Sequence, residues 1–166
     1  VSDFPFYTVQ PFDGLRGMLS LAVEQVPDKD AFRFSVGTTV ENITYAQFVR
    51  DVYALGAALH ELGLSDKHVA QIGENSYRWL TVSLTMICSN GVFVPIDKEL
   101  PEPDIKHIMD HSESSAVFYT ERYESVMRNA ANELPALRYF IRVDPYGTAP
   151  SEADSDPRFL NFTDLL

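Results

Sequence analysis

His107 and His111 stand four residues apart in the run Ile105-Lys106-His107-Ile108-Met109-Asp110-His111. That is the spacing at which two imidazoles on one helix could hold a metal ion. No cysteine lies near them and Asp110 is the adjacent acid, so the pair reads as a feature of an exposed helix face. Ile72-Gly73-Glu74-Asn75-Ser76 could present the free N–H groups of a helix start to an anion. Its single glycine and the opposing charge of Glu74 make a capped turn the better reading. Neither G-x-G-x-x-G nor G-x-x-x-x-G-K-[ST] occurs anywhere in the chain. Cys88 lies within an apolar helical run, where a thiol is buried and inert. There is no G-x-S-x-G elbow, and no carboxylate pair stands isolated in an apolar segment as a glycosidase site would require. Arg122 follows a strand ending at Thr120, at the sheet edge where ligands collect, and reads as a solvated arginine that could touch a phosphate. The residues alone therefore assign no catalytic residue, no cofactor-binding residue and no metal ligand.

The elements that would position these groups alternate. Leu15, Met18, Leu19, Ala22, Val23 and Val26 share one helical face, and Pro27-Asp28 stops that helix. Ala31–Val36 and Thr39–Ile43 predict a hairpin turning at Gly37-Thr38. Thr44-Tyr45-Ala46-Gln47 has the form of a capping box opening a helix with the stripe Phe48, Val52, Leu55, Leu59, Leu62, closed by Gly63. His68–Gly73 predicts a strand, and Asn75 or Ser76 caps a helix to about Asn90 that is apolar nearly all round, with small hydroxyls as its polar relief. Such a helix should be buried nearly all round. Gly91 then closes it with a tight turn.

Val92–Ile96 is a continuous apolar run and predicts a strand covered on both faces, in the middle crossover of the sheet. Pro101 opens the next helix, with Ile105, Ile108 and Met109 inward. Ala116–Tyr119 is a strand, Arg122–Leu134 a helix, Arg138–Val143 a strand, and Thr163–Leu166 the start of a helix. Three strand–helix alternations imply an α/β fold: a mainly parallel sheet with helices on both faces, preceded by a small hairpin.

Size and charge set the outer limits. At 166 residues and 45% apolar content the chain forms one domain with a real core. The formal charge of −11, with no local Lys/Arg cluster, argues against a nucleic-acid partner. Residues 144–158 hold Asp144, Glu152, Asp154 and Asp156 beside prolines and a glycine, an acidic solvated loop. No apolar run is long enough to form a transmembrane segment, the N-terminal residues lack the pattern of a secretory leader, and the single cysteine fits a reducing compartment. The expectation is cytoplasmic.

Ile43-Thr44-Tyr45-Ala46-Gln47-Phe48 resembles the first core motif of the adenylate-forming enzymes, commonly Leu-Thr-Tyr-x-Glu-Leu. That family comprises acyl-CoA synthetases, aryl-CoA ligases and peptide-synthetase adenylation domains. Gly91-Val92-Phe93-Val94-Pro95-Ile96-Asp97 with Leu100-Pro101 resembles the second, Gly-Ala-x-x-Val-Pro-Leu-Asp-Pro-x-x-Pro. Leu55–Leu59, Leu62-Gly63-Leu64 and Glu74–Trp79 fall between them in the family's order, and the similarity runs from about Leu15 to Leu166. The Asn75…Trp79 form and the Asp97-Lys98-Glu99-Leu100 loop look most like bacterial long-chain fatty-acid–CoA ligases, although Lys98 stands for the family's proline and Val92 for its alanine.

The resemblance implies an AMP-binding ligase of fatty acid metabolism. It makes an acyl-adenylate from a small-molecule carboxylate and ATP, with Mg, and then a thioester with coenzyme A. It also implies that residues 1–166 are the truncated N-terminal subdomain of such an enzyme, whose partner is the remainder of its own chain. The phosphate loop, magnesium-binding Glu, ribose-binding Asp and lid lysine of the family have no counterpart in these residues. The piece is accordingly expected to hold no cofactor and to be inactive by itself. The other reading left open by the residues is a free-standing flavodoxin-like or receiver-like α/β binding or signalling module. Acyl chain length and oligomeric state are not legible.

Overall fold

The computed structural model describes residues 10–144 and 155–166. The leader reading of residues 1–9 and most of the acidic stretch lie outside these. A first helix, α1 (Gly14–Gln25), precedes a two-stranded antiparallel hairpin, β1 (Asp30–Val36) and β2 (Thr39–Thr44). Gly37 turns the hairpin at φ +59°, a conformation costly for any residue with a β-carbon. Helix α2 (Tyr45–Glu61) follows, and the Thr44 hydroxyl accepts from the Gln47 N–H at 3.2 Å, as the capping-box reading requires. Its C-terminus is a Schellman motif. The Leu64 N–H reaches the Leu59 carbonyl at 2.8 Å and the Gly63 N–H reaches His60 at 2.9 Å, with Gly63 at φ +69°.

The main sheet is five-stranded and parallel throughout, in the order β4 (Val92–Pro95), β3 (His68–Ile72), β5 (Ala116–Tyr119), β6 (Tyr139–Arg142), β7 (Phe159–Asn161). Helices α3 (Tyr77–Cys88), α4 (Glu102–His111) and α5 (Glu124–Glu133) make the connections. Alternation along each strand divides the core in two. Ala70, Ile72, Val117, Tyr119 and Phe140 face α4 and α5 through Ile105, Met109, Met127 and Ala130. Val69, Ala116, Phe118 and Ile141 face α2 and α3 through Leu55, Leu59, Val82 and Met86. A third cluster joins α1, the hairpin and α2 around Leu19, Phe48, Val49 and Val52.

Four expectations change. Val92–Pro95 is the edge strand and not a covered one: Val92 and Pro95 are exposed, and Pro95 is tolerated there because an edge strand need not donate on its outer side. Helix α3 ends at Cys88, and the residues it buries best include its hydroxyls, Thr81, Ser83 and Thr85, while Ile87 is half exposed. Small residues let α2 and α3 approach, and the Thr85 hydroxyl donates to the Val52 carbonyl across that contact at 3.1 Å. Pro101 is the N-cap of α4, and Pro103 occupies its first turn. The chain from Phe162 to Leu165 is a short 3-10 turn that follows a strand, β7, hidden beside the acidic stretch.

Gln71 is the polar exception in the core. It is 2% exposed on β3, on the same side of the sheet as Val69, and its Oε1 has no hydrogen-bond partner among the described residues. Replacing it by leucine removes a buried acceptor that lacks a donor. Gln71→Leu is expected to raise stability by about 1–2 kcal/mol. Urea denaturation checks this, and a lowered midpoint would show that Oε1 is satisfied in solution.

Candidate functional site at the carboxyl edge of the sheet

Parallel α/β sheets bind ligands beyond the carboxyl ends of their strands, and here those ends bring together Gly73-Glu74, Asp97-Lys98, Thr120-Arg122, Arg142 and Asp144. Gly73 leaves β3 at φ +150°, and a β-carbon there would lie 2.6 Å from Thr120 Cγ2 and 3.0 Å from its Oγ1. The two strand ends are therefore in contact through a missing side chain. The Thr120 hydroxyl donates to Glu74 Oε2 at 2.9 Å, and Arg122 approaches Glu74 Oε1 at 3.7 Å. The Glu74 carboxylate of the Ile72–Ser76 turn is thus engaged across the strand ends. Ser76 caps α3, its hydroxyl accepting from the Trp79 N–H at 3.0 Å.

Several neighbouring groups are similarly committed. Arg78 is half-buried, donates to the Asp144 carbonyl at 2.9 Å and lies over the Phe162 ring; desolvation pulls its pKa below the ordinary value. Asp97 Oδ1 accepts from the Glu99 N–H at 2.9 Å and shapes the loop after β4, which the Tyr123 hydroxyl holds through the Lys98 carbonyl at 2.7 Å. On the α4/α5 side the buried Tyr119 donates to Glu124 Oε2 at 2.8 Å, and Arg128 donates to Glu124 Oε1 at 2.7 Å. Burial, and then the bond to Glu124, pushes the Tyr119 phenol well above the usual range. Asp156, in the described part of the acidic stretch, pairs with Arg158 at 2.8 Å, and that bond holds its carboxyl below the usual value.

The remaining candidates stand apart from this edge. The His107 and His111 rings stack at 5.7 Å on the exposed side of α4. No group of three or more His, Cys, Asp or Glu is placed to hold a metal ion among the described residues. Cys88 is half-buried at the end of α3, its thiol pushed up by desolvation, and its carbonyl accepts from Arg16. Sequence reasoning singled out Arg122 but missed Thr120, whose role depends on a contact 47 residues away in sequence, at Gly73. Arg78 was likewise hidden in a helix read for its apolar residues.

The Arg122 charge is met by Glu74 and the Arg78 guanidinium is taken by a carbonyl. What the edge does chemically is hold the ends of β3, β4 and β5 in fixed relation.

The family described as AMP-binding enzyme matches residues 19–161. A curated CoA ligase of Gibberella moniliformis is 26% identical over 65 residues, which are 39% of this chain and 11% of that protein. An anthranilate CoA ligase solved in complex with anthranoyl-AMP superposes with a TM-score of 0.74 at 19% identity, over 89% of this chain and 26% of its own. A putative long-chain-fatty-acid CoA ligase of Rhodopseudomonas palustris gives 0.74 at 16%, over 91% and 35%. The acetoacetyl-CoA synthetase of Streptomyces lividans gives 0.73 at 20%, over 89% and 24%. At these identities the structural likeness is one of fold, and the chain spans a third or less of most of these relatives. No helix among the described residues is long and apolar enough to cross a membrane.

Proposed function

Because the chain belongs to the AMP-binding enzyme family, we propose that residues 1–166 form the N-terminal part of an ATP-dependent acid–thiol ligase. The reaction is carboxylate with ATP to acyl-adenylate, then thioester with coenzyme A. The family match over residues 19–161 carries this reading. The part played by this piece is architectural: it is one wall of the reaction cleft, and its carboxyl edge sets the loops that flank it. Both chemical steps concentrate negative charge and need preorganised cations. Here Arg78 and Arg122 are already engaged, so ATP, Mg and coenzyme A are held chiefly by other parts of the enzyme, and the piece is inactive by itself.

Within the family we assign the long-chain fatty-acid–CoA ligase class and a cytoplasmic location. The support for the class is the Asn75…Trp79 form and the Asp97-Lys98-Glu99-Leu100 loop, and for the location the single Cys88, which fits a reducing compartment. Thioester formation by the protein of the native reading frame, assayed over a carboxylate panel, tests the class. Palmitate is expected to exceed anthranilate and acetoacetate; the reverse order would remove the fatty-acid assignment and leave the ligase.

A further inference from the structure

Arg142 is the last residue of β6 and lies in register with Tyr119 on β5 and Asn161 on β7, at the carboxyl edge on the α4/α5 side. It is partly buried, and its guanidinium makes no hydrogen bond or ion pair among the described residues. The other arginines, apart from the exposed Arg50 of α2, each have a partner: Cys88, Asp30, Asp144, Glu74, Glu124, Gly63 or Asp156. The carboxylate that reaches this face from α5, Glu124, has both oxygens taken, one by Tyr119 and one by Arg128. In a chain with 24 acids and 13 bases, this partly buried guanidinium meets no carboxylate among the described residues. It presents a planar fork of donors where ligands of parallel sheets sit.

We propose that Arg142 is an oxyanion-binding residue, a seat for one phosphate or carboxylate group at the end of β6, separate from the Gly73–Thr120 contact. A guanidinium fork binds either anion bidentately, so the chemistry is shared and the source is decided by measurement. The proposal does not rest on the ligase reading.

The test is a titration of the 166-residue chain with inorganic phosphate and, separately, acetate at constant ionic strength, following the Arg142 Nε–Hε resonance by NMR. A saturable shift at that resonance is expected. Phosphate binding about tenfold tighter than acetate would identify a phosphate seat, and the reverse a carboxylate seat. Arg142→Gln should weaken the binding at least about tenfold, Arg142→Lys should retain part of it, and Arg50→Gln should leave it unchanged. Because the wild-type titration reads Arg142 directly, poor folding of a variant leaves the test intact. No saturable shift with either anion, or an equal response after Arg50→Gln and Arg142→Gln, would overturn the proposal.

Discussion

Gly73→Ala is expected to cost about 3 kcal/mol of folding stability. Two terms contribute. At φ +150° an L-residue is strained by about 1–3 kcal/mol. The new methyl also falls 2.6 Å from Thr120 Cγ2, an overlap that costs a further ~1–3 kcal/mol as β3 and β5 separate. The first term is indifferent to Thr120 and the second depends on it. In the Thr120→Ala background the same substitution should therefore cost about 1–2 kcal/mol less, the difference being a coupling measurable by a double-mutant cycle in urea. Thr120→Ala alone loses the bond to Glu74 and should cost about 1 kcal/mol. A Gly73→Ala cost that is unchanged by Thr120→Ala would mean that the strand ends do not meet.

Gly91→Ala is expected to cost about 2–3 kcal/mol through a different mechanism, because Gly91 has no positive φ. A β-carbon there would lie 2.5 Å from Met86 Cε, 2.7 Å from the Lys67 carbonyl and 3.2 Å from the Ser65 carbonyl. The methionine tip can move and the two backbone carbonyls cannot move without the strand. The Lys67 carbonyl accepts from Val92 N–H at 3.0 Å, the bond that starts the β3–β4 pairing. The damage should accordingly concentrate in β4, with hydrogen-exchange protection lost over Val92–Ile96 before it is lost over Ala116–Tyr119. Uniform loss across the sheet would refute this placement. Met86→Ala in the same background should restore little, since the carbonyl contacts remain.

These two glycines also show where sequence reasoning stops. In sequence both are punctuation, a capped turn and a helix stop, and in each the deciding fact is an atom distant in sequence. The stripes were legible because a helix displays its packing face in its own spacing: Phe48, Val52, Leu55 and Leu59 are buried as the pattern requires. The parallel sheet was legible from alternation, and the Thr44 cap from local chemistry.

Edge and centre were not separable. Val92–Ile96 is as apolar as a central strand, and only the pairing order places it outside β3. The small hydroxyls of α3 read in sequence as the polar relief of an otherwise apolar helix. Close helix approach buries them, and each finds a carbonyl: Thr81 on Tyr77, Ser83 on Leu80 and Thr85 on Val52. Strand β7, of three residues, is too short to show a period. The site residues were the least legible of all, since Thr120 and Arg142 acquire meaning only from which strands lie side by side.

The ligase account places reaction chemistry outside these residues and architecture within them. Carboxylate-dependent ATP–pyrophosphate exchange, measured side by side on the 166-residue chain and on the protein of the native reading frame, tests that division most directly. The account predicts exchange by the latter and none by the former. Exchange by the 166 residues alone, or its absence from the native protein with every carboxylate in the panel, would contradict it.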